Sequence, residues 1–157
     1  MPLSTIESHG LVFVTQGAPR ADEAALAALP PLLDPNRLLV QTGETELPVN
    51  WKVFVESFLE GYHIRATHRE TFYPVQFDNL NVVEPFGPHC RITFPYRALH
   101  KLRDVPATER RVGGKLTYVY HLFPNVMIAT FPHFVFMVAI EPLTIDRTRF
   151  HTYVTAD

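Results

Sequence analysis

A single cysteine, Cys90, stands in 157 residues. No internal disulfide can form, and no zinc or iron–sulfur site needing two thiolates can be built from this chain. Charge of either sign is sparse: 14 Lys and Arg face 16 Asp and Glu, for a net charge of −2. No basic run offers the electrostatic footprint that a phosphate backbone requires, which sets nucleic acid aside as a partner. Long apolar runs are missing too; the longest, Phe134 to Ile140, is far too short to span a bilayer, so no membrane partner is expected. Met1 to His9 has neither a basic n-region nor an apolar h-region, and nothing there reads as a secretory signal. There is no internal repeat and no low-complexity tract. The expectation is a soluble, cytoplasmic chain forming one compact domain.

What is present is apolar and aromatic bulk, 46% hydrophobic and 12% aromatic, with eight histidines. Gly10 to Thr15 reads as a short buried strand, broken by Gly17-Ala18-Pro19. Ala21 to Leu29 reads as a short helix, with Asp22 and Glu23 at its positive end and Pro30-Pro31 stopping it. Leu38 to Val49 is a strand candidate, and Asn50 stands where an N-cap belongs. From Trp51 the period becomes helical: Trp51, Phe54, Val55, Phe58, Leu59 and Tyr62 form one core-facing stripe. Beyond a polar loop containing Pro74, strands are predicted over 79–85, 89–96, 115–123, 126–131, 133–141 and 148–155. An exposed irregular or helical insertion is expected at Leu99 to Arg111. Phe94, Phe131, Phe134, Phe136 and Met137 are candidates to line an apolar cavity, alternate strand residues filling the core. His121 and His133, in apolar strands, either face that pocket or are satisfied at a core or edge position. Cys90 reads as a small buried hydrophobe.

The chemistry concentrates on the helix. Glu56, Glu60, His63 and His68 bring two carboxylates and two imidazoles together, the ligand chemistry of Fe(II), Mn(II) or Zn(II). Glu56, Glu60 and His63 share one flank of a regular helix, beside the apolar stripe. His68 leaves that flank, because a five-residue step turns about 140° beyond a full circle. A shared metal requires a π-bulge or a helix end between Gly61 and His68. On spacing alone, a metal pair and two unrelated histidines both remain open.

Asn50-Trp51-Lys52, followed by Glu56-Ser57-Phe58-Leu59-Glu60-Gly61-Tyr62-His63 and then His68, resembles the catalytic-domain signature of Rieske-type ring-hydroxylating oxygenase α subunits. His9 to Val14 is similar to the strand closing that family's Rieske domain, and Leu122-Phe123-Pro124-Asn125 to part of its catalytic sheet. The resemblance implies an α+β helix-grip fold (START/Bet v 1-like), a curved antiparallel sheet wrapped around a long helix. Residues 1–16 would be a remnant of the Rieske domain's last strand, and 17–157 the mononuclear-iron domain, incomplete at its C-terminus. His63 and His68 would be two ligands of a facial triad holding Fe(II), and Glu60 the carboxylate bridging the electron path between subunits of a trimer. The third ligand, an Asp far downstream in the family, has no evident counterpart; Asp157, Glu141 and Asp146 are poor matches. The family's Rieske [2Fe-2S] centre needs two Cys and two His, so this chain alone cannot bind it. Implied partners are an apolar or aromatic substrate, O2 and a ferredoxin or reductase. The implied activity is hydroxylation, as in aromatic hydrocarbon catabolism, and whether the isolated chain is active is left open. Two other readings stand beside it: an iron-free apolar-ligand-binding domain of the same fold, and a zinc hydrolase using His63, His68 and Glu60.

Overall fold

A computed structural model describes residues 3–15 and 23–156. The expected Gly17-Ala18-Pro19 break, the start of the first helix with Asp22, and Asp157 lie outside the described residues. Strands β1 (Ser4–Ser8) and β2 (Leu11–Thr15) form an antiparallel hairpin. Its two-residue turn, His9-Gly10, has positive φ at both positions, +54° and +79°, as the mirror-image turns that suit twisted hairpins require. Only β2 is legible in the sequence, since β1 carries one large apolar residue, Ile6.

Helix α1, described over Glu23–Ala27, ends two residues before the expected Leu29, with Ala25 and Leu26 buried. Strand β3 (Leu38–Leu47) leads to α2 (Trp51–Phe58) and α3 (Tyr62–Thr67). Six strands follow: β4 (Val82–Phe86), β5 (His89–Pro95), β6 (Leu116–Leu122), β7 (Val126–Thr130), β8 (Phe134–Pro142) and β9 (Thr148–Ala156). Together with β3 they make an antiparallel sheet of order β3-β9-β8-β7-β6-β5-β4. The predicted insertion before β6 holds two short 3-10 turns, Arg97–Leu102 and Ala107–Glu109.

Both faces of this sheet are covered, which is why its central strands read as nearly unbroken apolar runs rather than alternating ones. On one face Ile92, Val119, Met127, Val138 and Phe150 pack against Val55 of α2 and Ile64 of α3. On the other, Tyr120, Leu122, Ile128 and Val135 meet Leu26, Leu29 and Leu32, with Phe13 of the hairpin beside them. Period-two alternation assigns the sides: Phe136 and Val138 face the helices, while Val135 and Met137 turn away. Met137 therefore packs behind the sheet and cannot share a cavity with Phe134 and Phe136, correcting the sequence expectation.

Asn50 caps α2, its side-chain oxygen accepting from the Lys52 N–H at 2.9 Å. Its Nδ2 donates to the Ile145 carbonyl at 2.5 Å, tying the helix start to the turn between β8 and β9. Trp51, Phe54, Phe58 and Leu59 pack on the helix-covered face as the stripe predicts. Tyr62 does not; it is 81% exposed. The single helix expected over Trp51–Tyr62 is two helices, with a break at Leu59–Gly61. Gly61 is buried there against the carbonyl of Asp78, which an added Cβ would meet at 2.7 Å. This close approach re-aims α3, and the stripe's period is lost with it.

Candidate functional site

The break between α2 and α3 places a carboxylate at the start of α3. Glu60 Oε2 accepts from the backbone N–H of Tyr62 and, at 3.2 Å, from that of His63. These amides would otherwise lack partners at the helix start, where negative charge is also favoured by the dipole. Glu60 Oε1 lies 2.5 Å from His63 Nδ1. An ionised carboxylate can only accept, so Nδ1 carries a hydrogen, and in the neutral ring Nε2 is the nitrogen left with the lone pair. One carboxylate thus caps the helix and fixes the tautomer of His63.

His68 follows the last residue of α3, at backbone angles φ −106° and ψ 34°, with its N–H still donating to the Ile64 carbonyl at 3.0 Å. The helix end expected between Gly61 and His68 is therefore found there, in addition to the earlier break. It turns the His68 ring back onto that of His63, edge to face, with centroids 5.3 Å apart. On its far side His68 meets the Phe72 ring at 5.0 Å. Burial, and secondly the charge of His63, hold the His68 imidazole below its ordinary value. His68 is thus neutral at physiological pH and retains a lone pair.

Both rings open on a cavity of about 320 Å³ between α3 and the sheet. Its lining includes Phe58, Phe94, Phe131, Phe134 and Phe136, as well as Glu60, His63 and His68. The Phe131 ring lies between those of Phe72, 5.9 Å away, and Phe134, 4.5 Å away, nearly parallel to both. Phe94, Phe131, Phe134 and Phe136 thus line the cavity as expected from sequence. Glu56 does not, because it is exposed on α2, and the expected flank of Glu56, Glu60 and His63 is lost with the helix break. His121 lies outside the lining, half-buried with its ring 3.2 Å from the Pro124 carbonyl, and His133 is exposed. Cys90 is half-buried, and burial pushes its thiol up, away from nucleophilic use.

Sequence reasoning missed Phe72, Gln76 and Thr117 in the lining. The signal for the first two was available: His68, Phe72 and Gln76 recur every four residues. The Phe72 N–H donates to the His68 carbonyl at 3.1 Å, and the Gln76 N–H to the Phe72 carbonyl at 2.8 Å. Polar neighbours made this stretch read as loop, although its hydrogen bonds are those of helical turns.

The donor set fits two positions of a metal centre. Two imidazoles face one cavity, and the Nδ1 of His63 is held by a carboxylate, the usual outer partner of a metal-bound imidazole. Among the described residues, no group of three or more His, Cys, Asp or Glu converges closely enough to hold a metal. Glu60 is committed to His63 and the α3 amides, so the carboxylate that a zinc hydrolase would need as ligand is engaged elsewhere.

The family model described as "ring hydroxylating alpha subunit (catalytic domain)" matches residues 36–157. Putrescine 2-hydroxylase of Bordetella bronchiseptica is 28% identical over 90% of this chain and 35% of its own length. A quaternary ammonium Rieske monooxygenase, solved with an inhibitor, superposes with a TM-score of 0.71 at 20% identity, over 99% of this chain and 42% of its own. Naphthalene 1,2-dioxygenase from a Rhodococcus species, solved with indole, gives 0.69 at 15% identity, over 98% and 45%. The chain spans about a third of the curated relative and less than half of these solved chains. The family model covers most of the chain, and the chain belongs to the ring-hydroxylating oxygenase α-subunit family, whose catalytic-domain fold it carries.

Proposed function

We propose that the domain is the Fe(II)-dependent catalytic unit of a Rieske-type oxygenase that hydroxylates an apolar or aromatic substrate. The observation that carries this is the pair of imidazoles, 5.3 Å apart, at the edge of a phenylalanine-lined cavity. His63 and His68 would hold the iron, with the third, oxygen ligand supplied from outside the residues grouped here. Iron bound in this way supplies O2 activation. Glu60 keeps the Nδ1 proton on His63 and thereby keeps Nε2 free; it also offers a charged route toward a neighbouring subunit. The apolar walls exclude water and hold the substrate body beside the imidazoles. Electrons come, in this reading, from a Rieske [2Fe-2S] centre held by other residues than these, with residues 1–16 as the tail of that domain, in a trimer fed by a ferredoxin or reductase.

Iron content of the protein purified from iron-rich medium tests the reading: about one iron per chain is expected. None, with retained binding of an apolar ligand, favours instead an iron-free binding domain, the reading that the absence of a three-donor group among the described residues supports. A second expectation concerns Glu60. Glu60→Ala is expected to weaken Fe(II) binding about 10–100-fold, as loss of an outer carboxylate partner typically does. Glu60→Gln should recover most of this, because its amide oxygen still accepts from Nδ1. Equal losses in both variants would refute the positioning role.

A further inference from the structure

Gln76 is 4% exposed and borders the cavity. Its side-chain amide makes no hydrogen bond among the described residues, and neither of its polar atoms is among those fully sealed from solvent without a partner. Gln76 lines the cavity, and a nearly buried amide with no protein partner offers its hydrogen-bonding groups to a ligand there. A second polar group stands beside it. Gln76 forms a β-bridge with Tyr96, and the Tyr96 hydroxyl lies 2.7 Å from Thr117 Oγ1, itself on a 3% exposed residue of the same cavity wall. Whichever hydroxyl donates in that pair, Thr117 keeps either a hydrogen or a lone pair for a ligand.

The position of this polar end relative to the imidazoles follows from the chain. His68, Phe72 and Gln76 are linked in sequence by main-chain hydrogen bonds, so Phe72 stands between His68 and Gln76 along the chain. Between them lie Phe72 and its stacked partner Phe131. The cavity is thus apolar in the middle, with imidazoles at one end and neutral hydrogen-bonding groups at the other. Among the described residues no Lys or Arg lines it, and the one carboxylate in its lining, Glu60, is taken up by His63 and the backbone.

We infer that Gln76, assisted by Thr117, is the specificity-determining residue of this site, selecting a substrate with an aromatic or alicyclic body and a neutral hydrogen-bonding head such as a carbonyl, amide or hydroxyl. The head seats on Gln76 and the opposite end of the body faces the imidazoles, which fixes where reaction occurs. The amide serves either polarity of head, donating through Nε2 and accepting through Oε1. Against these walls a charged head would find no Lys, Arg or free carboxylate as a counter-charge among the described residues. The inference rests on the cavity of the proposed oxygenase being its substrate site, but not on iron.

The test is calorimetric, on the purified protein with chelator present and no reductant, using a shape-matched set: indane, 1-indanone and the ammonium form of 1-aminoindane. The wild type is expected to prefer 1-indanone over indane. Gln76→Met, of equal length, should shrink that preference about three- to tenfold, the worth of one hydrogen bond, and leave indane affinity within about twofold. Gln76→Leu, which loses both the donor and the acceptor, should shrink it as well and provides a second variant if the first does not fold. An unchanged 1-indanone preference in the folded variants, or tighter binding of 1-aminoindane than of 1-indanone by the wild type, overturns the proposal. The two readings fail separately. Protein that takes up no iron yet loses the preference in Gln76→Met sinks the oxygenase reading alone. Protein that binds iron and keeps the preference sinks this one.

Discussion

His63→Ala is expected to lower Fe(II) affinity by more than about a hundredfold in an anaerobic titration, beyond the 10–100-fold that loss of an outer partner costs. The reason is geometric. Of the two cavity imidazoles, His63 is the one whose Nδ1 lies against a carboxylate, at 2.5 Å, which leaves Nε2 as its nitrogen for a metal. His68 alone, beside an apolar ring and without a carboxylate partner, is a single monodentate donor. His68→Ala is expected to do comparable harm, while His121→Ala and His133→Ala, outside the cavity lining, should leave the titration unchanged. Iron bound equally well by His63→Ala protein would remove the metal centre from this pair. Because Glu60 also caps α3 through backbone amides, His63→Ala leaves the helix start intact, so lost affinity is not lost folding.

The second large effect concerns a residue with no side chain. Gly61→Ala places a methyl 2.7 Å from the Asp78 carbonyl oxygen, a distance at which a backbone must move. Overpacking of this kind costs about 1–3 kcal/mol. For a chain of this size that corresponds to a fall in thermal midpoint of roughly 2–10 °C. The displaced segment is the junction carrying Glu60 and His63, so Fe(II) affinity should fall along with stability. Gly113→Ala is the control, since an added Cβ there meets nothing within 4 Å and should change stability by less than about 0.5 kcal/mol. An unchanged midpoint in Gly61→Ala would mean that the tight approach to Asp78 is not kept in solution.

The sequence made the helix legible and hid its break. From Trp51 to Leu59 every stripe residue packs on the sheet, because a helical period and an Asn cap are local signals. Tyr62 continues the same arithmetic and is nevertheless solvent-facing, since Gly61 resets the axis through a contact 17 positions away, with Asp78. A period cannot report a long-range contact. The same limit explains Met137: as a hydrophobe it belongs with Phe134 and Phe136, but strand alternation sends it to the opposite face. Sheet boundaries came within a few residues, Pro and Gly marking the turns. The histidine pair was legible from the motif around it, whereas Gln76 was not, because a polar residue in a polar stretch reads as solvated until the fold buries it.

The sheet has two open ends, and the sequence treats them differently from its middle. Strand β3 borders it on one side, exposed along all ten residues, Leu38, Leu39 and Val40 included. A flat apolar edge of that length is a template on which other chains can polymerise. Here the ladder to β9 slips between Leu39 and Gln41, so the strand is bent at the very place where it is most apolar. Farther along, Glu46 is ion-paired to Arg147 and Arg149, and Glu44 to Arg149, leaving a charged stretch unsuited to dry stacking. At the opposite border β4 carries Pro85, which has no amide hydrogen to offer an incoming strand. Bulge, charge and proline together let a sheet with two free borders stay the size at which it grips its helices, rather than growing into a fibre.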